Sequence, residues 1–321
     1  MTLGVSQSGQ TTYLRSGRRG NLADISFVPL PLPNDQQTYR WLEWLHSKLK
    51  QNNTTDFLIE RMQPEWLETT YQKCLYHIFV GLITGLLIGL IYGMTTGWIG
   101  ATIGGVTYGL ILGCTKKIYP IESLKLSIEY AKVQFLPSVL EGLGWGVVYG
   151  LIDAVICGLI WGVEGIIWGM IEALIWGLVE GLVWGLFVPD FKVITLSNQG
   201  IRESAKNAVA FTLIGGITWA LIYVLVLKIL SEPLEPFALL MDSISCGLFF
   251  GIYVGGFACL QHFVLRLILW WHGYIPWNYA KFMDYATTRG FLERKDGYYR
   301  FNHEWWQEYL TQIQLHEVDC L

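Results

Sequence analysis

The sequence predicts an all-α membrane protein with six transmembrane helices arranged as three glycine-rich hairpins. Only 15% of the 321 residues are charged, against roughly 25% in soluble domains. Two long apolar blocks are each long enough for two membrane spans, and every basic residue except Lys228 lies in the segments that flank the predicted spans. This composition excludes a disordered chain and a collagen, and it is a poor fit to a conventional soluble enzyme.

The first four spans come from the two uninterrupted blocks. Leu75 to Cys114 contains no Asp, Glu, Lys or Arg, and one helical span needs about 20 residues. It therefore predicts spans at about 75–95 and 98–115, with a turn near Thr95-Thr96-Gly97. Ser138 to Val188 lacks Lys and Arg and predicts spans at about 138–162 and 163–188, with a turn near Gly162-Val163.

The last two spans lie at about 207–228 and 238–265, which completes a transmembrane domain over residues 75–271. The first of these is free of charge up to Leu227, and the second carries only Asp242. The segment that joins them, Ser231 to Pro236, contains two prolines and must leave the helix.

The distribution of Lys and Arg predicts the orientation in the membrane. With the N-terminus in the cytoplasm, the segments 1–74, 115–137, 189–206 and 266–321 all lie inside, and only Lys228 lies at an outer helix end, where it could snorkel. Both termini are therefore expected in the cytoplasm. The expected location is the plasma (inner) membrane of the cell or another prokaryotic internal membrane.

Glycines recur every four residues in several spans, which predicts close helix packing. Because lipid is as apolar as leucine, helices in a bilayer associate through small residues that let their backbones approach. Two interpretations stay open: packing within one hairpin, and homo-oligomerisation, which could enclose a pore. The packing glycines are Gly81, Gly85, Gly89, Gly93, Gly97, Gly177, Gly181 and Gly185.

Two acidic residues lie near the middle of the second hairpin. From a turn at 162/163, Asp153 and Glu172 lie at a common depth of about 14 Å in a core of about 30 Å. Intramembrane acids are costly and point to function, and no Lys or Arg lies between Lys132 and Lys192 to pair with them. We expect the two carboxyls to lie close together, shielded from lipid, where they could share a proton. The alternative is two neutral acids that only bond to the backbone or to neighbouring helices.

The chain ends are polar. Residues 1–36 are Pro-rich and predict a flexible terminus, and residues 37–74 predict a small cytoplasmic helical segment, including a helix that opens at Pro64. In residues 272–321, a helix at Trp277–Arg289, a hairpin that turns at Asp296-Gly297 and a final helix at 302–314 give a winged-helix-like order. The acids on these helices and the membrane tether argue against nucleic acid as a partner.

These ends resemble the segments that flank the membrane block of multi-pass NACHT-family NTPases, over roughly residues 38–314. The C-terminal element is similar to the winged-helix region that follows NACHT modules, on Phe301, His303, Glu308 and Tyr309. Trp41 to Leu45, Phe57 to Glu60 and Gln63 to Leu67 resemble the stretch before their membrane block. Asn198 to Ala208 is similar to the loop before their third hairpin.

The chain departs from that family in one respect that decides its chemistry. The Walker A loop needs a Gly-Lys pair to hold phosphates, and this sequence contains no Gly-Lys dipeptide. The resemblance therefore implies a membrane portion without the ATPase module.

Two functions stay open. The first is a non-enzymatic membrane anchor and assembly module of a NACHT-like signalling system, whose partners are the lipid bilayer and either a NACHT-type ATPase or copies of itself. The second is a channel, pore or transporter that uses Asp153 and Glu172. Neither needs a cofactor or a metal, because the His and Cys residues show no metal-ligand spacing, and no catalytic residue is expected.

Overall fold

A computed structural model describes residues 35–120, 124–189 and 198–302. Most of the described residues are helical, and the strands are short. The helices are α1 (Asp35–Gln51), α2 (Thr70–Gly113), α3 (Ile128–Trp161), α4 (Val163–Leu186), α5 (Gln199–Leu230), α6 (Pro236–Gly251), α7 (Phe257–Trp271) and α8 (Tyr279–Thr288). The strands are β1 (Asp56–Phe57), β2 (Leu124–Leu126), β3 (Phe187–Pro189), β4 (Leu292–Lys295) and β5 (Tyr298–Phe301).

Among the described residues, five helical segments are long and apolar enough to cross a membrane: α2, α3, α4, α5 and the continuous segment Pro236–Trp271. Their outer faces are apolar and uncovered. Along α2, for example, Leu82, Leu86 and Leu90 are each more than 60% exposed. Apolar surface on this scale is not found on a soluble monomer. The architecture is compatible with a multi-pass membrane protein.

Glycines in the left-handed region end the straight runs at two of the predicted turns. α2 is interrupted at Gly97 (φ 70°, ψ −167°), and its two halves lie back against each other. Gly162 (φ 68°) separates α3 from α4 in the same way. A residue with a Cβ is strained at these dihedral angles, whereas glycine is not. The turns predicted near Gly97 and Gly162 are therefore present.

The arms of the first two hairpins touch backbone to backbone. A Cβ placed on Gly85 would lie 2.7 Å from the carbonyl oxygen of Gly105, and one on Gly177 would lie 2.6 Å from that of Gly142. Most of the predicted packing glycines make the same kind of contact with the facing backbone: Gly81, Gly85, Gly89, Gly177, Gly181 and Gly185. Gly93 differs, because its nearest neighbour is the Ala101 side chain at 3.3 Å. The prediction of Gly97 as a packing glycine is wrong, because it lies in the turn and a Cβ there would meet nothing within 4 Å. The four-residue repeats thus make contacts within a hairpin, as the interpretation of packing within one hairpin expects.

The third pair of helices is longer than predicted at its start. α5 already begins at Gln199, so most of the stretch 198–208 is helix, and the expectation of a loop there is wrong. No proline interrupts this stretch, and Ser204 and Asn207 are buried on the inner face of the helix. The predicted break after Leu230 is present: Ser231 takes a left-handed conformation and α6 starts at Pro236.

A π-helical turn, Ile252–Gly256, joins α6 to α7, and the run is kinked at Gly255, whose dihedral angles are not helical. A Cβ on Gly255 would run into the backbone of Ser204, so the widened turn lies where α5 comes closest. Such turns are frequent at functional sites and bends. A cluster of apolar side chains from α4, α5 and α6, centred on Val179, Phe211 and Phe250, packs the second hairpin against the third pair.

Residues 35–69 and 272–302 fold together into what we call the terminal domain. Their apolar side chains share one core that also takes Val264 and Leu265 from the end of α7. Strand β1, from the N-terminal part, pairs with β5 in a three-stranded sheet of order β1-β5-β4. Arg300 on β5 forms an ion pair with Asp56 on β1 at 2.8 Å. The two segments, predicted as separate units, are one packed body.

Of the local predictions for these segments, the hairpin is confirmed and the helix at Pro64 is wrong. The hairpin between β4 and β5 is present and turns at Asp296 (φ 56°) and Gly297. The helix expected to open at Pro64 is only a three-residue 3₁₀ turn, Pro64–Trp66, because Thr69 and Gln72 form a capping box that starts α2 at Thr70.

Of the winged-helix-like residues, Phe301 packs against the ring of His46, with centroids 5.4 Å apart. His303, Glu308, Tyr309 and the final helix lie outside the described residues. The winged-helix likeness stays a prediction.

Buried polar contacts fix the terminal domain to the helix ends. The Glu60 carboxylate accepts a hydrogen bond from the Gly200 backbone N–H at the start of α5, at 3.4 Å. Gln63 bonds both backbone groups of Ile118, at 2.9 and 3.0 Å. His262 on α7 lies 2.9 Å from the Ile59 carbonyl oxygen. These bonds make the terminal domain and the helical bundle one continuous structure.

We expect Gly105→Ala to destabilise the protein by about 1–3 kcal/mol, since the new methyl group must push two backbones apart. Gly144→Ala is the matched control, because a Cβ there meets nothing within 4 Å. Helix propensity alone would stabilise either variant by up to about 1 kcal/mol. Thermal denaturation in detergent measures the difference, and equal melting temperatures for the two variants would contradict the packing described here.

We expect the stability of the protein to depend on pH through Glu60. Burial raises the pKa of this carboxyl, although the backbone N–H groups of Glu60, Gly200 and Asn198 partly oppose the shift. The neutral form is therefore preferred in the folded state. Its stabilising contribution is complete below the ordinary pKa of 4.5 and is lost as the pH rises through the higher, folded-state pKa.

The melting temperature of Glu60→Gln should therefore rise relative to that of the native protein as the pH is raised from about 4 to 8. Glu65→Gln, at an exposed position nearby, should follow the native curve. A constant difference between Glu60→Gln and the native protein across this pH range would refute the assignment.

Candidate functional site

A cavity of about 110 Å³ lies between the three helix pairs. Residues from both halves of α2 and from α3, α4, α5 and α6 line it. At about 30 Å³ for each water molecule, this volume has room for roughly three. The lining reaches Thr95 and Thr96, directly before the turn at Gly97, so the cavity extends towards the end of the bundle at which the first two hairpins turn.

Three carboxyl groups from three different helices line the cavity: Asp153 on α3, Glu172 on α4 and Asp242 on α6. Glu172 lies close enough to the other two for negative charges on them to repel. The structure thus brings the predicted pair Asp153 and Glu172 into one site, about 14 and about 15 Å along the helix axes from Gly162.

Sequence reasoning did not assign Asp242 to the site. A signal was available, because Asp242 is the only charged residue between Phe237 and Leu265. The position of that charge along the sequence does not show that it faces the second hairpin. The packing of α6 against α2 and α4 decides this.

A tyrosine from α2 holds the Asp153 carboxylate. The Tyr92 hydroxyl donates a hydrogen bond to Asp153 Oδ1, and the Tyr108 hydroxyl lies 3.4 Å from the Tyr92 oxygen. Tyr92 precedes the Gly97 turn and Tyr108 follows it, so the hairpin contacts of α2 bring the two rings together at a centroid distance of 5.8 Å. The first hairpin therefore positions an acid that belongs to the second.

Aromatic rings form much of the rest of the wall. Phe249 lies between Tyr108 and Trp176, edge-on to both, with centroids 5.3 and 5.1 Å away. Tyr149 and Trp219 complete the set. Trp219 is only 5% exposed, and its indole Nε1–H has no acceptor among the described residues. A buried donor without an acceptor is rare, because losing its bond to water costs free energy.

The charge of the cavity is unbalanced. Its described lining contains no Lys, Arg or His. Three ionised carboxylates in a site of low dielectric repel one another unless they bind protons or another cation. The repulsion is therefore relieved only if the carboxyl groups take up positive charge, as protons or as another cation.

The acidic side chains of the described residues are not arranged as a metal-binding site. Nowhere in the described ranges do three or more His, Cys, Asp or Glu side chains lie close enough together to hold a metal ion. The Cys157 and Cys246 thiols also line the cavity, and both are free. The acids surround a space instead of converging on one point.

A second buried acid lies further along α4. The Tyr253 hydroxyl donates to Glu180 Oε1 at 2.7 Å, and Glu180 is 3% exposed. Tyr149, which lines the cavity, is within electrostatic reach of Glu180, and Glu180 is within reach of Glu141. The eight-residue spacing from Glu172 corresponds to about 12 Å along the helix. Protonatable groups thus continue from the cavity towards the end of the bundle that carries the terminal domain.

Comparison of the chain with family models, curated proteins and solved structures finds no match to any of them.

Proposed function

We propose that this chain is a six-span membrane protein that binds a cation, a proton or a larger positively charged species, in its acidic cavity and passes it across the membrane. The single observation that carries the proposal is the convergence of Asp153, Glu172 and Asp242 on one cavity without a basic partner in its described lining. Ionisable groups inside a membrane cost free energy, and those that are present mark ion or substrate pathways.

In this proposal both halves of α2 cross the membrane, which raises the five long helical segments to six spans. With the basic flanks inside, the turns at Gly97 and Gly162 face outwards. The cavity then lies in the outer half of the membrane and at its middle. The exposed apolar faces of the hairpins contact lipid, and the terminal domain lies in the cytoplasm.

The arrangement of protonatable groups supports a route to the inner side. From the cavity, Tyr149, Glu180 and Glu141 follow one another within electrostatic reach. A relay of acids and hydroxyls can carry protons inward. This route leads towards the end of the bundle that carries the terminal domain.

A second candidate function is an anchor and assembly module of a NACHT-like signalling system, without catalysis. The joint folding of the N- and C-terminal segments on the helix ends favours it, because a partner ATPase could dock on the terminal domain. Under this proposal the cavity acids are neutral and purely structural. The partner would be a NACHT-type ATPase or a second copy of the chain.

The orientation is tested with epitope tags. A tag inserted after Pro233, between α5 and α6, should be reached by antibody on intact cells, because the loop carries no cluster of Lys or Arg and is expected outside. A tag after Asn53, in the terminal domain, is the matched control and should need permeabilised cells. Protection of the Pro233 tag in intact cells would overturn the six-span topology.

Ion flux in liposomes separates the two functions. Vesicles that contain the purified full chain should dissipate an imposed cation or proton gradient. Asp153→Asn combined with Glu172→Gln should slow this flux by about tenfold or more, since the groups that offset the cost of burying the ion are lost. Glu164→Gln, at an exposed position beside the Gly162 turn, should conduct like the native protein.

Vesicles that stay ion-tight, with the protein shown to be folded and inserted, would reject transport and leave the anchor function. If the double variant and Glu164→Gln change the flux equally, the flux does not pass through the acidic cavity, and the proposal is rejected.

A further inference from the structure

The wall of the acidic cavity contains the features that recognise one class of positively charged ligand. We propose that the cavity binds a small organic ammonium ion, held by the carboxyl groups and by the faces and edges of the surrounding aromatic rings. This inference rests on the proposed function, because it names the cation that the same site takes.

The first step is the net charge of the site. Asp153, Glu172 and Asp242 face the cavity, and no Lys, Arg or His is part of its described lining. The Tyr92 hydroxyl already donates a hydrogen bond to Asp153, which fixes the orientation of that carboxyl group. A cationic ligand therefore meets at least one carboxylate that a hydrogen-bond donor has oriented in advance.

The second step separates an organic cation from a metal ion. A metal ion needs several hard ligands at one point, about 2–2.6 Å away. The described residues provide no such group of three, although three acids and two thiols line the cavity. Carboxyl groups spread around a space instead suit a ligand whose positive charge is distributed over several atoms.

The third step is the aromatic content of the wall. An ammonium ion is attracted to a ring within about 6 Å of its centroid, and the attraction increases when water is excluded. Tyr108, Phe249 and Trp176 stand side by side in edge-to-face pairs, so that their π-surfaces lie at different angles around one space. Tyr108 is 4% exposed, so this part of the wall is buried.

The fourth step is independent of the acids. Trp219 lines the cavity, and its indole N–H is deeply buried and has no acceptor among the described residues. Such a donor needs an acceptor oxygen, which a ligand or a bound water can supply. A ligand that carries a hydroxyl beside its ammonium group would satisfy the Trp219 N–H and the carboxylates together.

The size of the cavity limits the ligand. The present cavity has a volume of about 110 Å³ and is partly open, so it suits a compact ion with short substituents on nitrogen that can extend into the opening. Tetramethylammonium and choline are therefore suitable probes.

The test is calorimetric titration of the purified full chain in detergent or nanodiscs with tetramethylammonium chloride and with choline chloride. Saturable binding is expected for both, and choline should bind more tightly because its hydroxyl can accept from Trp219. Sodium chloride controls for ionic strength, and tert-butanol controls for size without charge. Neither should bind saturably.

Variants assign the binding to the cavity. Asp242→Asn and Glu172→Gln should each weaken binding of tetramethylammonium by about tenfold or more, as expected when one partner of a buried charge pair is removed. Glu164→Gln is the matched control, an exposed acid of α4 outside the cavity lining, and should bind like the native protein. Trp219→Phe should remove the advantage of choline over tetramethylammonium.

The inference fails if the folded native protein shows no saturable binding, or if tert-butanol binds as well as tetramethylammonium. It also fails if Glu164→Gln loses binding as much as Glu172→Gln does. Ion flux in liposomes without ammonium binding would leave the proposed transport intact and reject only the ligand. Ammonium binding without flux would keep the ligand and reject transport.

Discussion

Backbone contact between helices, made possible by glycine, is the constraint on which the rest of the structure depends. Inside a bilayer no hydrophobic effect presses helices together, so attraction must come from close packing and from hydrogen bonds. In the first two hairpins, a Cβ at most of the packing glycines would lie within 3 Å of the facing backbone. The two arms of each hairpin are therefore as close as their main chains allow, and their larger side chains must point elsewhere.

This packing decides where the polar site can form. Because glycines occupy the inside of each hairpin, large side chains such as Tyr92, Trp176 and Phe249 are directed to the space between hairpins. Bulky rings do not interlock as closely as glycine faces, and a cavity is left. Hydroxyl groups partner two of the buried acids: Tyr92 bonds Asp153 inside the cavity, and Tyr253 bonds Glu180 outside it.

The terminal domain joins the ends of helices that are far apart in the sequence. Glu60 caps the start of α5, Gln63 bonds the segment after α2, and Ile59 is bonded by α7. Two helices and the segment after α2 are thus bonded to one domain built from residues 35–69 and 272–302. In either proposed function, this connection links events in the membrane to events in the cytoplasm.

The sequence by itself determined the helical class, the turns at Gly97 and Gly162, the break before Pro236 and the hairpin at Asp296-Gly297. Each of these depends on apolar run length or on the local conformational preferences of glycine, proline and aspartate, which act within a few residues. It also singled out Asp153 and Glu172, because an uncompensated acid in an apolar run is costly wherever the helix lies. Only the tertiary structure added Asp242, Tyr92, Tyr108 and Trp219 to the same cavity and united both chain ends in one core. Such contacts join residues up to more than 200 positions apart, and the side on which one helix meets another depends on the packing of all of them.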